Sequence, residues 1–76
     1  MTVKVEVRLF AGFRDGRFKR QEWELPEGTR LREVVERLEI PADEVSLPLV
    51  NGHYSDLDRE LKDGDLLSLF PAVAGG

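Results

Sequence analysis

Residues 3–10 alternate between apolar and polar positions. Val3, Val5, Val7 and Leu9 fall on one side, and Lys4, Glu6, Arg8 and Phe10 on the other. Alternation of this kind, rich in β-branched residues, predicts a half-buried strand. Gly12 to Gly16 carries turn-forming residues, and a second strand follows over 18–25 with Trp23 and Leu25 inward. The two form a β-hairpin with a loop of several residues. Pro26-Glu27-Gly28-Thr29 breaks the strand, and the Thr29 hydroxyl is placed to cap a helix N-terminus. Leu31, Val34, Val35 and Leu38 then recur at i, i+3, i+4 and i+7, which marks the buried stripe of an amphipathic helix. Glu33 and Arg37 make an i, i+4 pair on its exposed side, and Pro41 ends it.

Residues 41–46 read as a connector with at most one loose turn. Leu47 to Val50 is a short strand, held to an edge or a strand start by Pro48. Asn51-Gly52 is a strong hairpin turn signal, because both residues tolerate positive φ. His53 and Tyr54 continue as a brief strand, Asp63-Gly64-Asp65 turns again, and Leu66 to Phe70 forms a final apolar strand. The expected core is Val3, Val5, Val7, Leu9, Trp23, Leu25, Leu31, Val34, Val35, Leu38, Leu49, Leu67 and Leu69. The order β-β-α-β-(β)-β implies an α+β fold, with one helix covering one face of a four- to five-stranded sheet. Residues 1–70 make the domain, and 71–76 a flexible C-terminal tail.

Composition narrows the chemistry. A chain of 76 residues without cysteine has neither disulfides nor thiolate metal ligands, and the single His53 cannot build a zinc site. No metal site is expected, and Asp63-Gly64-Asp65 reads as a turn rather than part of a calcium loop. A net charge of −4 argues against nucleic acid. No apolar stretch is long enough for a membrane span and no secretory signal is visible, so a cytoplasmic location is expected. The charge is uneven. Residues 1–20 hold six basic and two acidic side chains, whereas 21–76 hold five and thirteen. Most of this charge reads as solvated surface, including Arg17, Lys19 and Arg20, with an acidic face for a basic partner as the sharper reading. No Ser-His-Asp set, cysteine nucleophile or phosphate-cradling loop appears.

Three segments carry a resemblance: Val50-Asn51-Gly52, Leu61-Lys62-Asp63-Gly64-Asp65 and Phe70-Pro71-Ala72-Val73-Ala74-Gly75-Gly76. With the element order, they make the chain resemble the MoaD/ThiS sulfur-carrier family, whose fold is the ubiquitin-like β-grasp. Leu9-Phe10-Ala11, Phe70-Pro71 and the long first hairpin look most like the small subunit of molybdopterin synthase. Val73-Ala74-Gly75-Gly76 is shared with the carrier of thiazole (thiamine) synthesis. A ubiquitin-like modifier or interaction module is the alternative of another class.

The resemblance implies a chemistry centred on Gly76. An E1-like enzyme would adenylate its carboxyl with ATP, and sulfur from a donor protein would replace the adenylate to give a thiocarboxylate. That sulfur would pass to a pterin precursor in molybdenum or tungsten cofactor synthesis, beside a larger partner subunit. No bound cofactor is implied. Six residues from Pro71, extended at roughly 3.3–3.6 Å each, reach about 20 Å into a partner. Gly75 and Gly76 would pass narrow channels because they lack side chains. Phe10 and Phe70 fall on the outward side of their strands, and with Tyr54 they read as a docking patch for partners. Pro71 and Val73 complete the expected partner contacts.

Overall fold

The computed structural model describes residues 1–72. The expected tail residues Val73, Gly75 and Gly76 therefore lie outside the described residues. The elements are β1 (Thr2–Leu9), β2 (Arg20–Pro26), α1 (Leu31–Arg37), β3 (Val45–Val50), β4 (His53–Tyr54) and β5 (Leu66–Pro71), with short 3-10 turns at Ala11–Arg14 and Ala42–Glu44. The five strands form one mixed sheet in the order β2-β1-β5-β3-β4. β1 pairs antiparallel with β2 and parallel with β5, while β3 pairs antiparallel with β5 and β4. The α+β architecture with one helix on one face is the one the hydrophobic pattern predicts. No helix among the described residues is long and apolar enough to cross a membrane.

The alternation of β1 sends Val3, Val5, Val7 and Leu9 into the core, where they meet Leu25, Leu67 and Leu69 from the sheet. Leu31, Val34, Val35 and Leu38 close the core from the helix side. Each buried Val or Leu contributes about 1.5–3 kcal/mol relative to exposure, so this interdigitated layer is the main source of stability.

Two residues expected in this core lie at its edge, and Val50, Phe13, Leu61 and Ile40 join it. Leu49 is only half-buried; Pro48 and Val50 point inward instead. Trp23 is half-buried at the margin, packed against Phe18 with ring centroids 6.2 Å apart. Its indole N–H donates to the Gln21 side-chain carbonyl at 2.7 Å, so its polar edge stays at the surface. Phe13 and Leu61, both in connecting segments, are 5% and 0% exposed and complete the core together with Ile40.

Both helix ends differ from the expectation in their chemistry. Thr29 does not cap α1; its hydroxyl donates to the Pro26 carbonyl at 2.7 Å. Arg30 is the N-cap, and its N–H donates to the Glu33 carboxylate at 2.8 Å. The first free helix donors, Leu31 and Arg32 N–H, bond the carbonyls of Arg59 and Leu57 at 2.9 and 2.8 Å. A loop that supplies two carbonyls leaves no donor for Thr29 to satisfy. At the other end the helix stops before Pro41. Glu39 adopts φ 60°, and Ile40 N–H bonds Val35 O at 3.2 Å while Glu39 N–H bonds Glu36 O at 2.9 Å. This pair of bonds is a Schellman motif, with Ile40 and Val35 both buried beneath it. Arg17 extends across from the first hairpin, and its Nε donates to Leu38 O at 3.0 Å. That contact ties the hairpin loop to the helix C-terminus, so Arg17 is not merely solvated.

The two turns of the last third are coupled. Asn51 and Gly52 take φ 54° and 83°, as a two-residue hairpin of this twist requires. Asn51 Nδ2 donates to Asp65 Oδ1 at 2.9 Å, and Asn51 Oδ1 accepts from Leu66 N–H at 2.9 Å. The other Asp65 oxygen accepts from Lys62 N–H at 2.8 Å. Asp63 Oδ1 accepts from Lys4 N–H at 2.8 Å, fastening the turn to β1. Both carboxylates are thus occupied by backbone and amide donors. Among the described residues no cluster fit to hold a metal is present.

Candidate functional site: the helix-free face of the sheet

One face of the sheet is covered by α1, and among the described residues no helix covers the other, bare face. The parallel register Leu9↔Leu69 decides what lies at the top of the bare face. Phe10 N–H continues the ladder by bonding Leu69 O at 3.2 Å, so the next residues along, Phe10 and Phe70, come side by side. Their rings stack with centroids 4.1 Å apart and planes 8° from parallel. The 3-10 turn at Ala11–Arg14 then folds the chain back. Arg14 lies over the Phe10 ring, 5.2 Å from its centroid, and its Nε donates to Leu9 O at 2.7 Å. A cation over an aromatic face and a stacked ring pair each hold Phe10 in place.

The bare face continues across β3 and β4. Leu47 pairs with Phe70 across the strands and is 41% exposed. Leu49 pairs with Ser68 on one side and Tyr54 on the other. Tyr54 is 68% exposed, the most open aromatic of the group. Phe10, Phe70, Leu47, Leu49 and Tyr54 therefore make one aromatic and aliphatic surface. Phe10 and Phe70 are half-buried against each other rather than freely exposed. Pro71 follows Phe70 as the last residue of β5 and pairs with Val45.

The structure thus brings together Phe10, Phe70 and Pro71, with Tyr54 two strands away on the same face. Leu47, Leu49 and Arg14 belong to this surface and were missed in the sequence. A signal for Leu49 was available. In a two-residue Asn-Gly hairpin, Val50 faces His53 and Leu49 faces Tyr54, and opposed residues share a face. An outward Tyr54 therefore requires an outward Leu49. His53 is exposed on β4.

The electrostatics of this face are basic at one margin. Arg8, Arg14, Lys19 and Arg20 surround Phe10 and line a shallow hollow with it. Arg8 pairs with Glu6. Away from this face, the Lys62 ammonium, 2.9 Å from Glu60, holds the Glu60 carboxyl below its ordinary value, helped by Arg30.

The model of the ThiS family matches residues 7–76. No curated protein sequence matched the chain. Among solved structures, a Pyrococcus furiosus protein assigned as molybdopterin converting factor subunit 1 is 39% identical, with a TM-score of 0.76 over 93% of this chain and 99% of its own. Subunit 1 and 2 of the Helicobacter pylori molybdopterin-converting factor were solved as a complex; that structure is 29% identical to this chain, with a TM-score of 0.57 over 97% of this chain and 100% of its own. Small archaeal modifier protein 1 of Haloferax volcanii, at 21% identity and a TM-score of 0.75 over 93% of this chain and 99% of its own, shares the fold. With the bare aromatic face, the ubiquitin-like sheet and this match in view, the chain belongs to the ThiS family, the MoaD/ThiS group of ubiquitin-like sulfur carriers.

Proposed function

We propose that this protein is the sulfur-carrying small subunit of a molybdopterin synthase. The observation that carries the reading is the stacked Phe10–Phe70 pair, set in an apolar face immediately before Pro71. A partner seated on that face would receive the residues that follow. Both molybdopterin-converting relatives support the reading by similarity. In this proposal an E1-like enzyme adenylates the Gly76 carboxylate, releasing pyrophosphate from ATP. The terminal sulfur of a donor protein's persulfide then attacks the carbonyl carbon and displaces AMP. A thiol cleaves the S–S bond of the resulting acyl disulfide, becoming a disulfide with the donor cysteine and leaving the sulfur on the Gly76 carbonyl. The resulting thiocarboxylate enters the large subunit and gives its sulfur to a pterin precursor, for a molybdenum or tungsten cofactor. Gly75 gives access to the narrow channel, and Phe10, Tyr54, Phe70, Pro71 and Val73 make partner contacts.

The test is direct. The protein is incubated with an E1-like activating enzyme, ATP and a sulfur donor, and its intact mass is measured. Exchange of one oxygen for sulfur at Gly76 is expected, followed by loss of that sulfur when large subunit and pterin precursor are added. An unmodified mass, or adducts on target lysines in its place, would overturn the carrier reading. Sulfur that a thiazole synthase accepts and the large subunit does not would reassign the pathway.

A further inference from the structure

The margin around Phe10 is basic. The chain carries an excess of carboxylates, fifteen against eleven basic side chains. Cations in such a chain ordinarily find acidic neighbours. Arg32 and Lys62 do so, at Asp58 and Glu60, and Arg8 pairs with Glu6. Arg14, Lys19 and Arg20 are exposed and, among the described residues, none of the three lies within ion-pair distance of a carboxylate. All three line the hollow beside Phe10.

Local structure explains how they gather there. The Arg8↔Arg20 register of the first hairpin places two arginines directly opposite each other. Like charges so placed repel and destabilise a sheet. Lys19 follows at the point where its carbonyl takes the Leu9 N–H at 2.9 Å. Arg14 is swung back over Phe10 by the 3-10 turn. The patch has a clear limit: Glu6 and Glu22 flank Arg20 farther along the strands. The cations are therefore held toward the end of the sheet where Phe10, Phe70 and Pro71 lie.

We infer that this margin receives an acidic segment of the protein that docks on the Phe10–Phe70 face. The occupant is a stretch of polypeptide with carboxylates beside an apolar contact residue. The apolar part would seat against the stacked rings, and the carboxylates would face Arg14, Lys19 and Arg20. Charge complementarity carries the choice. An uncompensated local positive patch on a molecule of net charge −4 attracts negative groups only in one orientation, so it steers a partner onto the face that precedes the tail. The inference deepens the function proposed above and rests on it.

The experiment measures association of the full chain with purified molybdopterin synthase large subunit by stopped flow, at low and at physiological salt. Lys19→Glu and Arg20→Glu are compared with Arg37→Glu, an exposed helix residue on the opposite face that changes net charge equally. Each patch variant is expected to slow association by about three- to tenfold at low salt and to flatten its salt dependence, with dissociation little altered. Arg37→Glu should stay near the parent rate. Circular dichroism of each variant confirms folding before rates are compared. Equal slowing by all three variants, or unchanged rates in the patch variants, would overturn the acidic-segment inference while leaving the functional proposal standing. Failure of the parent chain to bind the large subunit at all would overturn both.

Discussion

The clearest division of labour at the residue scale lies between Phe70 and Asp65. Phe70 is half-buried, stacked on Phe10 and cross-paired with Leu47 at the surface. Removing its ring forfeits a stacking contact of about 0.5–1.5 kcal/mol. As the proposed interface anchor it would be worth about 2 kcal/mol or more. Phe70→Ala should therefore lower the urea midpoint modestly and weaken large-subunit binding by about thirtyfold; calorimetric titration and chemical denaturation read the two separately. A larger loss of stability than of affinity would place Phe70 with the core residues. Asp65 is the opposite case. It is 7% exposed, and its oxygens accept from Asn51 Nδ2 and Lys62 N–H. Asp65→Asn sets an amide donor against one of those donors. The expected cost is about 1–3 kcal/mol in denaturation, with sulfur loading unaffected once the protein is folded. The sequence marked Asp65 as a turn residue but not as the link between two turns, because a contact fourteen residues away leaves no local pattern.

Elements were legible where one period dominated. β1 and α1 each have apolar residues at a single spacing, so their buried faces follow directly. β3 was not, because Leu47, Pro48, Leu49 and Val50 are all apolar, and alternation then gives no inward side. The pairing of β3 with β5 resolves it: Pro48 and Val50 oppose the buried Leu69 and Leu67. Pro48 tolerates this position because its carbonyl faces Ser55 N–H on the outer side, where β4 has already ended. Helix ends were hard to read for another reason. The partners of the first donors lie at Leu57 and Arg59, and the terminating residue is Glu39, a non-glycine at φ 60°. Left-handed backbone costs a side-chain-bearing residue roughly 1–2 kcal/mol. Glu39 is exposed. Glu39→Gly should therefore raise stability by about 0.5–1 kcal/mol, seen as an upward shift in melting temperature. A drop would mean that the Glu39 side chain contributes more than its backbone strain removes.

Stability and the proposed chemistry fall on different parts of the sequence. The core described above runs from Val3 to Leu69, and the last strand closes at Pro71. The carrier chemistry proposed for Gly76 falls beyond that frame. The sequence could indicate this separation because alternation and helical spacing stop at Phe70, and the Gly-Gly ending has no period of its own. It could not reveal the basic margin at Phe10, which depends on Arg14, Lys19 and Arg20 meeting through the hairpin register. The separation has a measurable consequence. Deleting Gly76 removes the proposed acceptor carboxyl from its position and shortens the reach into a partner by about 3.5 Å. The deleted chain should melt at the parent temperature, since no core residue is touched. It should still bind the large subunit through Phe10, Phe70 and Tyr54, with affinity reduced only by the lost tail contact. It should gain no sulfur in the intact-mass assay, because Gly75 would present its carboxyl one residue short of the activating centre. Normal melting with complete loss of loading is the expected pair of results; retained loading would show that the acceptor is not Gly76.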